Sequence, residues 1–163
     1  MITGKAIRFG DNVDTDVILP GKYMTLTNPG DLAKHAMEGL DSTFATKIRN
    51  GAIIVGGKNF GCGSSREQAP LALKHAGVKC VLAESFARIF YRNSINIGLP
   101  VLECRGISGK VEEGDELVVD LEKGVVENRS KNLALQATRL PSFIMEILRD
   151  GGLIEHLRRR KLK

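Results

Sequence analysis

The stretch Lys58 to Pro70, K-N-F-G-C-G-S-S-R-E-Q-A-P, restricts what this chain can be more than any other. It follows Ala52-Ile53-Ile54-Val55, a short continuous apolar run rich in β-branched residues, the pattern of a strand buried on both faces. Glycines at 56, 57, 61 and 63 then widen the backbone's choices and let main chain approach a ligand closely. Arg66 to Ala76 reads as a helix that Gly77 stops. Ser64 with Glu67, and Ser65 with Gln68, both have capping-box spacing, which predicts one of the two serines as the N-cap. A strand, a glycine-rich turn, two hydroxyls, an arginine and a helix start together make a place for an anion. Amide N–H groups converge there, the helix dipole adds positive potential, and Arg66 offers a planar fork to a carboxylate or phosphate. The plainer alternative is a capped helix after a flexible turn, although four glycines and Ser-Ser-Arg exceed what a cap needs. No Gly-Lys-Ser/Thr follows the glycines, G-x-G-x-x-G is absent, and Gly63 to Arg66 is not a G-x-S-x-G elbow.

From residue 52 the order is strand, helix (66–76), strand (79–83), helix (86–97) and strand (100–103). That alternation predicts a parallel sheet with the 56–65 loop beyond the carboxyl end of a strand, where such sheets bind ligands. Ser85 is the predicted cap of the second helix, from which Arg88, Arg92 and Asn93 project, as solvated or interface residues. Ahead of this unit, residues 4–9 read as a strand and Asp14-Thr15-Asp16 as a loop. Two carboxylates so close can bind a cation, orient a histidine or close Asx-turns. Pro20 to Pro29 is a loop that exposes Tyr23, Met24 and Leu26, either to anchor it or to line a pocket. Residues 31–38 read as a short helix ended by Gly39. Later, 116–121 and 125–127 have hairpin grammar, which predicts an antiparallel layer packed on the parallel one. A helix at 142–149 comes next, and Gly151-Gly152 separates it from a last short one.

Composition limits the function. The 163 residues suit one α/β domain spanning 1–163, and no apolar run approaches the ~18–20 residues of a membrane span. The start of the chain lacks the charged-then-apolar pattern of a secretory signal, so a soluble, cytoplasmic protein is the expectation. Cys62, Cys80 and Cys104 lie far apart, and no C-x-x-C or His/Cys ligand spacing exists, so the chain by itself predicts no metal site. Cys62 has no neighbouring histidine to activate it; His35, His75 and His156 fall in helical stretches and read as surface or cap residues. Arg158, Arg159, Arg160, Lys161 and Lys163 are five cations, equal to the whole formal net charge of +5. The body is therefore near neutral, and 158–163 is predicted to be a disordered basic tail, with an arm gripping a partner or RNA as the second reading.

N-F-G-C-G-S-S-R-E-Q-A-P resembles the signature of the swivelling domain of the aconitase superfamily, in the small-subunit branch that serves isopropylmalate isomerases and homoaconitases. Val13-Asp14-Thr15-Asp16-Val17-Ile18-Leu19-Pro20-Gly21 is similar to that family's N-terminal motif. Phe86 to Asn93, with Gly98-Leu99-Pro100, resembles a further block, and Gly151-Gly152-Leu153 a closing one. The resemblance implies a swivelling β/β/α three-layer fold, with a central parallel sheet, an antiparallel layer and flanking helices. It also implies a large partner subunit carrying a [4Fe-4S] cluster, in a heterodimer or heterotetramer, and a 2-hydroxy diacid as substrate. On this likeness Ser64 is a general base and Ser65, with nearby N–H groups, stabilises charge. Arg66 clamps a carboxylate beside Gly63, and Asp16 is an active-site residue facing the partner. The resemblance further implies that Tyr23, Met24, Thr25 and Leu26 read the substrate's substituent. Homoaconitase-like relatives carry an arginine where Thr25 stands, so an apolar substituent is favoured here over a third carboxylate. A non-catalytic phosphate- or RNA-binding module is the rival from another class, while a stand-alone hydrolase lacks a base placed by motif.

Overall fold

In the computed structural model, which describes residues 1–162, the two central parallel strands alternate their side chains between two buried faces. The elements in chain order are β1 (Ile2–Arg8), α1 (Thr15–Ile18), α2 (Pro29–Ala33), α3 (Phe44–Lys47), β2 (Ala52–Gly56), α4 (Gln68–Ala76), β3 (Val78–Ala83), α5 (Arg88–Asn96), β4 (Val101–Glu103), β5 (Glu116–Asp120), β6 (Val125–Asn128), β7 (Leu133–Gln136), α6 (Ser142–Arg149) and α7 (Leu153–Lys161). Short 3-10 turns occupy Gly21–Tyr23 and Ile107–Gly109. One seven-stranded sheet runs in the order β4-β3-β2-β1-β5-β6-β7. β1 to β4 are mutually parallel, and β5 to β7 continue the sheet antiparallel from the other edge of β1.

Ile54 and Val81 point to one side, where they pack with Ile18, Leu19, Phe44, Leu73 and Phe90. Ile53, Val55, Cys80 and Leu82 point to the other and meet Leu117, Val119 and Val126 of the antiparallel half. The continuous apolar reading of 52–55 is thus two interleaved faces with period 2. The predicted antiparallel layer exists, and it is the far half of the same sheet, curled back over the parallel half through β1.

Several local expectations change. Asp14-Thr15-Asp16 is the start of α1 rather than a loop: Asp14 is the N-cap, accepting the Val17 N–H at 2.9 Å. The helix expected at 31–38 is α2, which ends at Ala33 and gives way to turns. α3 lies in a segment with no clear periodicity, and the alternation of β7 rests on Leu133 and Leu135 alone. Arg158–Lys161 are the last turn of a helix, not disordered tail, because Arg158 pairs with Glu155 and Arg159 with Asp150; Lys163 lies outside the described residues. No helix among the described residues is long and apolar enough to cross a membrane.

Candidate active site

The loop after β2 is stitched by its main chain to the connections on either side. Gly57 N–H donates to Gly10 O (3.1 Å), Gly61 N–H to Val13 O (2.7 Å), and Thr15 N–H to Cys62 O (2.8 Å). Asp11 Oδ1 accepts from Lys58 N–H at 2.7 Å. From the β3 side, Ser85 Oγ accepts from Asn59 N–H (2.8 Å) and Ser85 O from Phe60 N–H (3.0 Å). Ser85 therefore holds this loop, and the cap position of α5 is Ala87, with no side-chain cap. At Gly61, with φ +83°, a Cβ would come within 2.1 Å of Phe90, so only glycine lets the loop cross that ring.

Neither serine caps α4. That helix begins at Gln68 with Glu67 as N-cap and no side-chain cap bond, three residues beyond Ser65. The capping-box spacing fails because the tertiary contacts of Thr15 and Arg66 fix the chain here instead. Thr15 Oγ1 donates to Ser64 O at 2.9 Å, and Arg66 turns toward α1. The hydroxyls of Ser64 and Ser65 are consequently exposed and, among the described residues, without a hydrogen-bond partner. They stand with Gly63, Arg66, Thr15, the first turn of α5 from Arg88, and Asn93 one turn further on, around a cleft of about 190 Å³.

Arg66 Nη1 donates to Asp16 Oδ1 (3.1 Å) and to Leu19 O (3.3 Å), while Nη2 and Nε meet no acceptor among the described residues. Half of the fork is held and half is open. The same Asp16 oxygen accepts the Gly21 N–H at 3.0 Å. The Arg66 bond first, and the Gly21 bond second, hold the Asp16 carboxyl below the usual carboxylate range. Gly63, Ser64, Ser65, Arg66 and Asp16 are thus brought together. Tyr23, Met24, Thr25 and Leu26 do not line the serine cleft; Tyr23, Met24 and Leu26 pack against the helical-side core, which is the anchoring alternative, and Thr25 is exposed. Their turn still adjoins the site, since a Cβ at Gly21 would lie 3.6 Å from Arg66 Nη2.

Among the described residues no group of three or more His, Cys, Asp or Glu could hold a metal ion. Burial pushes the Cys80 thiol far up, and burial with Glu84 nearby raises Cys104 to about 11, so neither offers a thiolate near neutral pH.

Residues 9–105 match the model of the aconitase C-terminal domain family. The 3-isopropylmalate dehydratase small subunit of Halothermothrix orenii is 56% identical over 157 residues, covering 96% of this chain and 95% of that one. The chain belongs to the 3-isopropylmalate dehydratase small-subunit family. Within that family, a protein of Methanocaldococcus jannaschii named isopropylmalate/citramalate isomerase small subunit is 58% identical over 160 residues, covering 98% of this chain and 95% of the relative. A crystal structure of 3-isopropylmalate dehydratase from the same organism superposes with a TM-score of 0.93 at 46% identity, covering 99% of this chain and 95% of that one. The α/β architecture implied by the motifs, a mixed seven-stranded sheet with helices, is thereby shown. Members of the 3-isopropylmalate dehydratase small-subunit family are named as parts of a hydro-lyase, and the word "small" implies a large partner subunit. Beside the site, Glu38 went unread in the sequence and His35 was read as a surface or cap residue, whereas the two together hold Tyr23. Their only signal was an H-x-x-E spacing, common on any helix flank.

Proposed function

We infer that this chain is the small subunit of a 3-isopropylmalate dehydratase, a cytoplasmic hydro-lyase of leucine biosynthesis that interconverts 2- and 3-isopropylmalate by dehydration and rehydration. The observation that carries the reading is the pair of unbonded serine hydroxyls beside a half-open Arg66, on a loop whose backbone is fixed by its neighbours.

Arg66, tethered at Nη1 by Asp16, keeps Nη2 and Nε for a substrate carboxylate. Ser64 removes the carbon-bound proton. A serine alkoxide is costly, and three features lower that cost: the Arg66 charge, the Ser65 hydroxyl, and the first turn of α5, whose N–H groups no side chain caps. The [4Fe-4S] cluster of such dehydratases is assigned to the large subunit, because the donor set here does not fit one. Lewis-acid handling of the departing hydroxyl belongs to that partner. A heterodimer or heterotetramer results, with the serine cleft at the interface. The apolar Met24 and Leu26, without an arginine at Thr25, fit an alkyl substituent better than the third carboxylate of a homoaconitase substrate. The isopropylmalate/citramalate relative favours a dual range within that alkyl class.

The test is reconstitution. Turnover of 2-isopropylmalate is expected only when this chain is mixed with an iron-loaded large subunit, with all iron staying on the large subunit. Turnover or cluster absorbance from this chain alone would overturn the assignment.

A further inference from the structure

Resting on that functional reading, we propose that Glu38 and His35 set substrate discrimination: they are positioning residues that fix Tyr23, and through it the turn that reads the substituent. Tyr23 is gripped on its edge and on its face. Its hydroxyl donates to Glu38 Oε1 at 2.6 Å, and its ring stacks on the His35 imidazole with centroids 3.7 Å apart and planes 9° from parallel. His35 Nδ1 in turn lies 2.5 Å from Glu38 Oε2, which closes the triangle. Lys22 Nζ sits 5.1 Å from the centre of the same ring. Glu38 thus serves two partners with its two oxygens, and a charged acceptor makes both bonds stronger than neutral ones.

The platform beneath Glu38 is independently fixed. Met37, wholly buried, holds φ +57°, a left-handed conformation that side chains adopt only when surroundings demand it. Its N–H donates to Ile18 O at 2.7 Å, and Gly39 N–H donates to Val17 O at 3.2 Å. A Cβ at Gly39 would stand 2.7 Å from Val17 Cα, so this approach to α1 requires glycine. Residues 37–39 are therefore clamped on α1, the helix that carries Asp16. Glu38 carries that reference point across to Tyr23, the last residue of the Gly21–Tyr23 turn. The first residue of the turn bonds Asp16 and abuts Arg66. The turn is thus pinned at both ends: at Gly21 to the carboxylate clamp, and at Tyr23 to Glu38 and His35. Met24 and Leu26, just past the turn, pack against the helical-side core rather than lining the serine cleft, so the placing of the turn sets how far their apolar surface stands from Arg66 when substrate is bound in the assembled enzyme.

The experiment compares kcat/KM for isopropylmalate and for citramalate, its methyl counterpart, in the complex with the large subunit. Glu38→Ala is expected to lower the isopropylmalate-to-citramalate ratio about tenfold, the scale of a mis-set apolar pocket, and chiefly through KM. Glu38→Gln, which still accepts from the Tyr23 hydroxyl, is expected to retain the ratio within about threefold. Tyr23→Phe with Glu38→Ala is expected to lose no more than Glu38→Ala alone, since both cut one linkage. A ratio unchanged within about twofold in Glu38→Ala, or losses that multiply in the double variant, would overturn the inference. If Glu38→Ala does not fold, Tyr23→Phe alone, which removes one oxygen, must lower the ratio. A wild-type complex that turns over neither diacid overturns the functional reading, and this inference with it.

Discussion

β2 and β5 flank β1 on opposite sides of the sheet, and each is five residues long. The chain leaves them in different ways. β5 enters a turn whose N–H groups are closed from within, Gly124 N–H donating to Asp120 O at 2.9 Å and Lys123 N–H to Asp120 Oδ1 at 3.1 Å, while Gln136 and Arg139 donate to its carbonyls. β2 enters the 57–67 loop, whose N–H groups reach Gly10, Asp11, Val13 and Ser85, on the connections after β1 and β3. The hairpin turn closes its own N–H groups. The β2 loop has its backbone closed by others, and its serines and half of its arginine fork remain free for another molecule. Parallel topology makes this possible, because three connections meet at one end of the sheet.

The largest effect that sharpens this contrast is on Arg66. Arg66→Lys keeps the charge and loses the planar fork, so kcat/KM in the assembled enzyme is expected to fall about 100-fold. Melting should hardly change, because Arg66 bonds only exposed Asp16 and one carbonyl. A large drop in Tm with turnover intact would make the β2 loop structural, like the β5 turn.

In the antiparallel half the expectation inverts. Asn128 is buried, donating from Nδ2 to Asp115 Oδ2 (2.8 Å) and Lys110 O (3.0 Å), and accepting from Lys131 N–H (3.2 Å). Asn128→Ala should cost about 1–3 kcal/mol in a denaturant titration, by leaving buried partners unpaired. The kcat of the assembled enzyme should not move.

How much of this contrast was legible in sequence depends on what holds each part. β2 was plain from Ala52 to Val55, and the turn at 122–124 from its own Glu-Lys-Gly, because both are local patterns. Ser64 and Ser65 carried a capping-box spacing that the fold ignores, since Thr15 and Asp16, some 50 residues earlier, take hold of Ser64 O and Arg66. Glu38 was invisible for the same reason: its value lies in a tyrosine 15 positions away. The helical end of the chain was hidden by its charges, whose partners Glu155 and Asp150 only a folded α7 brings near. β7 has the period of an edge strand but only Leu133 and Leu135 to display it.

The smallest effect concerns pH at Asp16. Its folded-state carboxyl titrates below the ordinary value of 3.8, so its contribution to stability is complete above that value and disappears as pH falls through the lower one. Wild type and Asp16→Asn should therefore melt with a constant offset between pH 7 and 5, converging only in stronger acid. An offset that shrinks within that range would mean Asp16 is not tied to Arg66.

The measurement closest to the central claim is kcat of Ser64→Ala in the complete enzyme, taken beside its melting curve. Because Ser64 caps nothing, removal of its hydroxyl should lower kcat by about 1,000-fold, on the scale of a lost general base, with no shift in Tm. A kcat within a few-fold of wild type would contradict the account, and a Tm lowered by the equivalent of about 1 kcal/mol would return Ser64 to the role of a helix cap.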